Sequence, residues 1–493
     1  MAKTVTAAAK KAVQITWIAP GALFLLALVV RLWGIGDESL WLDEATSLFL
    51  ARKSAPDVIA WTAKDIHPPL YYLLLHFWRV FGESEAALRS LSAVAGAMSA
   101  GALYSLGARL FDRRTGWIAG ALLALAPIHV WYSQQARMYT WLGFWALLSS
   151  LCLVAFLDTR KVRFAVGYVL ASAAALYTHY YTVFVFLAQG VYVLYEAWRA
   201  RRWRAVAEFA AGAAASVLLF APWIPTMWFQ VTSGGGGWVA RGGVPGPHAL
   251  ADILVAFSVG NVRLLYPSWL RWGVYLALAG LSLWAIWGGI RRRDHARRRG
   301  VVFAAVYLIA PVAAAWLISR VKPLYSERYL LTFLPGYLLL AAAGIGALPG
   351  AWLRRGVAVL VAAALGFGLW QMGNVLQTED WRGAAAYVSG RAAQGDVAVF
   401  YPGWNEKPFA YYYARGDLPT WTWFKVPLPP DEVESSILPG IEGYRRAWLV
   451  WSVGHYGDPS GQVKRYMDEH YILVDEGRFR GPIGVALYIL AGR

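Results

Sequence analysis

Long apolar runs recur along most of this chain, separated by short polar stretches. A helix needs about 20 apolar residues to cross a bilayer, and hydrocarbon cannot satisfy backbone polar groups, so spanning runs of this kind must be helical. About eleven runs have this character, near residues 17–33, 88–110, 117–132, 139–157, 164–178, 181–197, 205–229, 268–290, 301–319, 329–347 and 356–373. The sequence therefore predicts an α-helical polytopic membrane protein with about eleven transmembrane helices.

The composition agrees with a membrane protein. Hydrophobic residues make up 58% of the 493 residues and charged residues only 15%, with a mean hydropathy of +0.43, whereas a soluble domain carries about 25% charged residues. The formal net charge of +17 would suit a nucleic-acid partner if it lay on one surface. Instead the positive residues concentrate in short loops after the even-numbered runs, at 112–114, 160–163, 199–204, 291–299 and 354–355.

These basic loops predict the orientation in the membrane. Short loops rich in Lys and Arg stay in the cytoplasm and attract anionic lipid headgroups. All of them fall on the cytoplasmic side if the N-terminus, which carries Lys3, Lys10 and Lys11, is also cytoplasmic. We expect a multi-pass protein of the bacterial inner (plasma) membrane, with membrane lipids as partners and no nucleic acid.

Three segments then fall outside the membrane: the loop 34–87, the loop 230–267 and the tail 374–493. The second contains Ser233–Gly237, a flexible run that is either a linker or a lid over a cleft. The tail predicts a small extracytoplasmic α/β domain that either helps to bind an acceptor or caps the bundle. Its expected elements are a helix over 378–393 and strands over 396–401, 446–453 and 484–490. The predicted division is a membrane domain over 1–373 and the tail domain over 374–493.

An acidic pair, Asp43 and Glu44, follows the first predicted span on the outer side. Neighbouring helical residues point about 100° apart, so at most one of the two faces a given centre. A carboxylate beside low-dielectric surface has a raised pKa, which suits a general base. The alternative is a solvated acidic pair that starts a helix near its positive dipole end.

A second pattern in the same loop is Asp65-Ile66-His67-Pro68-Pro69. The prolines keep the residues before them out of the helical region and start a helix predicted over 70–81. His67 could bind a phosphate, ligate a metal or pass a proton. A hydrogen-bonded structural histidine is the alternative.

Cations also lie in predicted outer turns. Arg137 follows the third run, between apolar helices, where an ionisable residue is costly and therefore suggests a function. Lys322 and Arg328 precede the tenth run, although outer loops are otherwise poor in positive residues. A planar guanidinium suits a phosphate oxygen pair. Snorkelling toward lipid phosphate is the alternative for this pair.

Together these patterns resemble the C-type (GT-C) membrane glycosyltransferases, specifically bacterial relatives of the protein O-mannosyltransferases and of the lipid A aminoarabinose transferase. The resemblance covers most of the chain. The motifs that carry it are Leu40–Ala45, His67–Tyr72, Ser133–Tyr139, Glu327–Leu331 and Glu379–Arg382.

The resemblance implies a catalytic role for Asp43, supported by Glu44. The predicted set for the carrier phosphate and donor is His67, Arg137, Tyr139, Lys322, Arg328 and Tyr329. His67 stands where some relatives carry Lys, which leaves its phosphate contact open. Some relatives use a divalent metal and others do not, so the metal stays open, with Asp43, Asp65 and His67 as candidate ligands.

These expectations require the acidic pair and the cations to meet at one outward-facing cleft at headgroup depth. The predicted function is inverting transfer of a sugar, hexosyl or pentosyl, from a polyprenyl-phosphate donor to an envelope acceptor. Cations would stabilise the leaving phosphate, and one base would make a direct, inverting displacement. A lipid or sugar transporter or flippase is the alternative, although transporters often show internal repeats, which this sequence lacks. A non-catalytic scaffold within a cell-envelope complex is the third possible function. The sequence specifies neither the sugar nor the acceptor.

Overall fold

A computed structural model describes residues 17–232, 243–260, 267–291, 294–374, 379–425, 428–452, 461–481 and 483–490. The N-terminal lysines and the Ser233–Gly237 run lie outside these residues. By its internal contacts the chain divides into two compact units. The first, here the helical unit, comprises residues 1–34, 54–80 and 89–375; the second, here the sheet unit, comprises 35–53, 81–88 and 376–493. The domain boundary at 373/374 remains a prediction.

The helical unit consists of helices, most of which lie at the predicted apolar runs. Their bounds are Ile18–Leu32, Ala55–Lys64, Leu70–Trp78, Glu85–Leu110, Arg113–Leu125, Pro127–Ser133, Tyr139–Thr159, Val162–Thr178, Thr182–Ala200, Arg204–Phe220, Ile224–Thr232, Ala249–Val259, Ser268–Arg291, His295–Ile318, Glu327–Leu330, Leu334–Ala347 and Ala351–Asn374. Short 3₁₀ turns at Arg79–Phe81, Ala221–Trp223 and Leu331–Phe333 continue three of them. The helix expected over 70–81 is confirmed.

The predicted count of eleven spans is not confirmed. Among the described residues, seven helices are long and apolar enough to cross a membrane, or eight if one bent pair counts as a single span. That pair is Arg113–Leu125 with Pro127–Ser133, which meet at 58°. The helices Ile18–Leu32 and Val162–Thr178 lie at predicted spans but are shorter. Thr182–Ala200, also at a predicted span, carries Glu196 and Arg199 near its end, which lowers its apolar character.

Close packing of helix backbones needs residues without side chains at the crossing points. At Gly344, in the span Glu327–Ala347, an added Cβ would lie 2.1 Å from the backbone oxygen of Leu281 on the neighbouring helix Ser268–Arg291. Such a contact is impossible for any other residue, and small residues commonly bring membrane helices together in this way. This span is accordingly among the most buried, with 89% of its apolar window covered by protein.

A buried arginine holds the bent pair. Pro127 has no backbone N–H, so it cannot bond the carbonyl of Leu123 four residues earlier, and the last carbonyls of a helix lack partners in any case. Arg31, which is 0% exposed, donates from Nη2 to Leu123 O at 3.1 Å and from Nη1 to Ala124 O at 3.1 Å. Its side chain therefore satisfies two carbonyls that the break leaves exposed.

The remaining donors of Arg31 hold the segment after the break. Nη2 lies 2.8 Å from His129 Nδ1, Nε donates to Ser133 Oγ at 3.0 Å, and Nη1 also donates to Ala27 O at 2.9 Å. All five guanidinium N–H groups thus have partners. The side-chain amide of Gln134 donates back to Arg31 O at 3.1 Å. These bonds fix the direction in which the chain leaves the helix Pro127–Ser133 and enters the turn that carries Arg137.

The sheet unit contains a five-stranded mixed sheet. Its strands are β1 (Asp396–Tyr401), β2 (Thr420–Thr422), β3 (Arg446–Ser452), β4 (Ile472–Phe479) and β5 (Ile483–Ile489), in the order β2-β1-β3-β5-β4. β1 is parallel to β2 and β3, and β5 is antiparallel to β3 and β4. The three predicted strands are confirmed as β1, β3 and β5, and the helix expected over 378–393 is Trp381–Ser389. The expected α/β character of the tail is thus confirmed.

Helices cover both faces of this sheet, which explains why its central strands are almost continuously apolar. One face, with Val399 and Leu449, packs against the helices Val433–Ile441 and Gln462–His470. The other face packs against Trp381–Ser389 and Glu406–Tyr412. The helix Leu42–Ala51 also belongs to this unit.

An ion pair joins the first residues of β1 and β3. Asp396, whose side chain is 2% exposed, accepts two hydrogen bonds from Arg446, at 2.8 and 2.7 Å. The N–H of Ala393 and the indole of Trp448 also donate to it, each at 2.9 Å. Burial alone would raise the pKa of Asp396, but these hydrogen bonds outweigh burial and lower it.

We expect Asp396→Asn to loosen β1 and β3. Loss of one partner of a buried pair costs about 3–5 kcal/mol, and we expect about 2–3 kcal/mol here because Arg446 is partly exposed. Amide exchange in these strands should then accelerate by about 30- to 100-fold. The control is Asp417→Asn, which removes the exposed pair with Arg415. The low pKa of Asp396 also predicts that its contribution is present above its unfolded pKa and is lost on acidification.

We expect Gly96→Ala to destabilise the helical unit. An added Cβ would lie 2.2 Å from Ser133 Oγ and 2.7 Å from Arg31 Nε, and overpacking of this kind costs about 1–3 kcal/mol. Thermal unfolding of the purified chain should show a lower melting temperature. Gly143→Ala, in a neighbouring helix with nothing within 4 Å of the new Cβ, is the matched control. Equal melting temperatures for the two variants would contradict the prediction.

Candidate functional site

Five of the residues predicted to bind the carrier phosphate come together in the helical unit. His67 precedes the helix Leu70–Trp78, and Arg137 and Tyr139 lie where the chain enters the helix Tyr139–Thr159. Arg328 and Tyr329 belong to the short helix Glu327–Leu330. Two residues not predicted from sequence, His179 and Tyr181, join them from the turn before the helix Thr182–Ala200. We call these seven residues the cation–aromatic cluster.

Tyr329 is the centre of the cluster. Its ring centroid lies 4.4 Å from that of His179, 4.9 Å from that of Tyr181 and 6.0 Å from that of Tyr139. The ring of His67 lies 5.2 Å from that of His179. Tyr329 itself is buried. These contacts between tilted rings fix the positions of the turns that carry the charged residues.

Both arginines of the cluster lie beside these rings. Arg328 donates from Nη1 to the Tyr139 hydroxyl at 3.3 Å, and Arg137 donates from Nη1 to the Tyr72 hydroxyl at 3.4 Å. The two guanidinium carbons lie 6.0 and 5.8 Å from the Tyr139 ring centroid, within the range of a cation–π contact. Arg137 is buried and Arg328 is partly buried. Two positive charges therefore share one largely desolvated place.

His179 is a neutral hydrogen-bond donor in this cluster. Its Nδ1 accepts the backbone N–H of Tyr181 at 3.1 Å, so the proton of the neutral ring is on Nε2. Nε2 is buried and has no hydrogen-bond partner among the described residues. Burial, with a further contribution from the charge of Arg137, lowers the pKa of His179 to about 3.

His67 is neutral for similar reasons. Burial is the largest cause that lowers its pKa well below the ordinary value of 6.5, and the charges of His179, Arg137 and Arg328 lower it further. His67 lies near the two arginines without adding a charge to theirs. This arrangement favours an anionic ligand that receives hydrogen bonds from neutral donors and charge from the arginines.

Lys322 lies apart from the cluster. Its side chain is exposed, and its ammonium donates to the backbone oxygen of Val231. None of the contacts of the described residues joins it to the cluster. Ser319 Oγ accepts the N–H groups of Leu324 and Tyr325 and so holds the turn that contains Lys322. Its assignment as a donor-binding residue stays a prediction.

The acidic pair lies in the sheet unit, in the first turn of the helix Leu42–Ala51. Glu44 is completely buried, and its Oε2 accepts the backbone N–H of Trp41 at 3.4 Å, as a helix-capping glutamate does. Asp43 is only partly buried. The two side chains therefore differ: Glu44 supports the start of the helix, and Asp43 is the more accessible carboxylate.

A further carboxylate, Glu379, belongs with this pair. Burial raises its pKa, and the negative charges of Asp43 and Glu44 raise it further, against a hydrogen bond from the Trp381 indole at 2.6 Å. Glu379 lies in the last of the motifs on which the family resemblance depends, but the sequence alone assigned it no role. The sheet unit thus gathers carboxylates, as the helical unit gathers cations.

Hydrogen bonds within the sheet unit hold this acidic segment. Arg382 donates to Glu85 Oε1 at 2.7 Å, and its backbone N–H donates to Ser39 Oγ at 3.2 Å. The Tyr412 hydroxyl donates to Glu85 at 2.9 Å and accepts the N–H of Leu40 at 2.7 Å. The segment that leads into the helix of Asp43 is therefore ordered by the tail.

The sequence left a metal open, with Asp43, Asp65 and His67 as candidate ligands, and these residues stay candidates only. Within the described ranges, no group of three or more His, Cys, Asp or Glu side chains is arranged to bind a metal ion. Protein sites for divalent metals usually combine at least three such ligands. We therefore derive no chemical step through a metal.

Comparisons with known proteins give one family model and several solved structures. The family model described as dolichyl-phosphate-mannose-protein mannosyltransferase matches residues 66–228, the part of the chain that contains His67, Arg137 and His179. No curated protein sequence matches the chain significantly.

Solved structures match nearly the whole chain. ArnT from Cupriavidus metallidurans in the apo state has a TM-score of 0.63 at 14% identity, covering 96% of this chain and 98% of that one. The apo oligosaccharyltransferase from Archaeoglobus fulgidus has a TM-score of 0.55 at 12% identity, covering 95% and 75%. The mycobacterial arabinofuranosyltransferase AftD has a TM-score of 0.52 at 15% identity, covering 97% and 40%. The chain is therefore a multi-pass membrane protein with the GT-C glycosyltransferase fold.

Proposed function

We propose that this protein is an inverting glycosyltransferase that moves a hexosyl or pentosyl group from a polyprenyl-phosphate carrier to an envelope acceptor (a protein, glycan or lipid). The observation that carries the proposal is the cation–aromatic cluster. It combines two desolvated arginines with a neutral histidine donor, His179, beside the ends of apolar helices. A phosphate attached to a long apolar chain is the ligand that such surroundings favour.

The relatives support this class of donor. One ArnT structure from Cupriavidus metallidurans contains undecaprenyl phosphate and matches this chain with a TM-score of 0.61 at 14% identity. An Archaeoglobus fulgidus AglB structure contains a dolichol-phosphate and an inhibitory peptide. Both ligands are polyprenyl phosphates. We assign the same kind of carrier to the cluster of this chain.

The proposed reaction is a single displacement. The acceptor hydroxyl oxygen attacks the anomeric carbon, and the bond from that carbon to the carrier phosphate oxygen breaks. The electron pair of the broken bond stays with the phosphate, where Arg137 and Arg328 stabilise the growing charge. Asp43 accepts the proton of the hydroxyl. Glu44 keeps the helix start in place, and His179 donates a hydrogen bond from Nε2 to a phosphate oxygen.

The membrane orientation belongs to the proposal as well. The basic loops favour a cytoplasmic N-terminus in a bacterial inner membrane, which puts the cation–aromatic cluster and the tail on the outer side. A transporter or flippase with the same cations would not need a proton acceptor. The role of Asp43 therefore separates the two functions.

We expect Asp43→Asn to abolish transfer while the carrier still binds. Loss of a general base costs about 10²- to 10⁴-fold in rate, whereas the arginines that hold the phosphate are unchanged. The measurement uses the purified full chain with a panel of polyprenyl-phosphate sugars and follows release of the carrier phosphate. Binding of polyprenyl phosphate is measured in parallel.

Asp37→Asn is the matched control, because Asp37 is an exposed carboxylate in the same segment and should leave the rate unchanged. Full transfer by Asp43→Asn would rule out the proposed base. Lipid translocation without any release of carrier phosphate, unaffected by the Asn substitution, would favour the transporter.

We expect the donor KM to be constant between pH 6 and 8. The pKa values of His67 and His179 are lowered below this range, so both rings stay neutral throughout, and a phosphodiester donor keeps one negative charge. Only the arginines supply positive charge. Arg328→Gln should therefore raise the KM by about tenfold or more at every pH.

Arg320→Gln is the matched control, because Arg320 is exposed and stacks on Trp316 at 4.0 Å, outside the cluster. A KM that rises steadily from pH 6 to 8 in the unmodified chain would mean that a charged histidine binds the phosphate, against this assignment.

A further inference from the structure

Two helices connect the cation–aromatic cluster to the opposite membrane surface. Tyr139–Thr159 begins in the cluster and ends beside Asp158, and Thr182–Ala200 begins after Tyr181 and contains Glu196 and Arg199 near its end. With 21 and 19 residues, they are each about 30 Å long, which is the thickness of the hydrocarbon core. Their far ends therefore lie at the other headgroup layer.

A cavity of about 380 Å³ opens at these far ends, entirely within the helical unit. The side chains that line it with charge are Asp158, Arg160, Glu196, Arg199, Arg202 and Arg299. Four arginines thus face two carboxylates. The cavity has an excess of positive charge before any ligand is considered.

Arg299 forms ion pairs with both carboxylates. Its Nη1 pairs with Asp158 at 2.5 Å and its Nε with Glu196 at 3.2 Å. Asp158 also pairs with Arg109 at 3.3 Å. The acids of the wall are therefore already neutralised, and they hold Arg299 in place instead of cancelling the other cations.

The other three arginines are less well compensated. Arg160 pairs with Glu208, which also pairs with Arg204 at 3.1 Å and so is shared. Arg199 has only long contacts to Glu196, at 3.4 and 3.5 Å. Arg202 has no ion pair among the described residues. Positive charge remains available in the cavity.

The backbone beside the cavity is strained. Arg160 and Arg201 end their helices with φ of +57° and +51°, and among the described residues they are the only non-glycine residues with positive φ. This conformation costs a residue with a side chain roughly 1–2 kcal/mol, which glycine would avoid. Arg160 lines the cavity, so its unfavourable conformation points to a use for its side chain or its charge, whereas Arg201 lies outside the lining.

Two tryptophans indicate the level in the membrane at which the cavity lies. Trp198 and Trp203, which flank the lining residues 199–202, are 66% and 59% exposed. Exposed tryptophans of a membrane protein are typical of the headgroup layer. The arginines of the cavity therefore lie at the level of lipid phosphates.

We propose that this cavity binds the phosphate of an anionic lipid headgroup. Arg160, Arg199 and Arg202 contact the phosphate, and Arg299, held by its ion pairs, adds a positive charge to the lining. Guanidinium groups bind phosphate oxygens in a planar fork, and basic pockets between membrane helices are suited to lipid headgroups. The site is separate from the transfer reaction, since the length of the membrane lies between it and the cation–aromatic cluster.

The test is lipid binding to the purified full chain, measured by native mass spectrometry with phosphatidylglycerol and phosphatidylcholine of the same chain length. We expect tight binding of one phosphatidylglycerol and weaker binding of phosphatidylcholine. Arg202→Gln should weaken phosphatidylglycerol binding about tenfold, the effect of losing one charge-assisted contact. Arg202→Lys should recover part of the loss, because the charge is kept.

Arg201→Gln is the matched control: it removes the same charge from the next residue, which is exposed but outside the lining. Its binding should be unchanged. Displacement of the lipid by millimolar inorganic phosphate would support phosphate recognition with free phosphate as the source, and no displacement would support the lipid. Equal binding of the two lipids, or equal losses for Arg201→Gln and Arg202→Gln, would overturn the proposal.

Discussion

The guanidinium of Arg31 is the contact on which the arrangement of the helical unit depends. It sits in an apolar helix with all five N–H groups bonded, and four of these bonds compensate the break at Pro127 and hold the helix after it. A buried charge without such partners would be very costly. Because the break leads directly into the turn of Arg137, the position of this proposed phosphate-binding residue depends on the side chain of Arg31.

The membrane also explains where the charges are. Hydrocarbon excludes polar groups, so the ionisable side chains of the long helices collect at the helix ends. At one end lies the cation–aromatic cluster, where the positive charges have aromatic neighbours. At the other end lies the arginine cavity, where carboxylates hold one arginine and leave others available. Two helices, Tyr139–Thr159 and Thr182–Ala200, carry residues of both places.

Acidic and basic groups are divided between the two compact units. Asp43, Glu44 and Glu379 belong to the sheet unit, and Arg137 and Arg328 belong to the helical unit. Within the sheet unit, the tail orders the acidic segment through Arg382 and Tyr412. The tail is therefore more than an appendage in this proposal, because it supports the residue assigned as the base.

Local patterns in the sequence were enough to predict the membrane class, the helix positions and three strands of the tail. They were also enough for Arg137 and Arg328, because a charged residue beside apolar runs is conspicuous wherever the chain folds, and for His67 through its proline-containing turn; Tyr139 and Tyr329 came from the family resemblance. Arg31 and His179 were open to the same reasoning, since Arg31 interrupts the first run and His179 occupies a predicted outer turn.

Other features depend on contacts between distant residues, and only the tertiary structure decided them. The short strand β2 and the charged edge strand β4 have weak local signals, and they form because β1 and β5 offer partners. The neutrality of His67 and His179 results from burial beside arginines that are distant along the chain, Arg137 and Arg328 for His67 and Arg137 for His179. The sequence determined which residues are too polar for the membrane; the fold decided which of them meet, because that depends on how the helices pack.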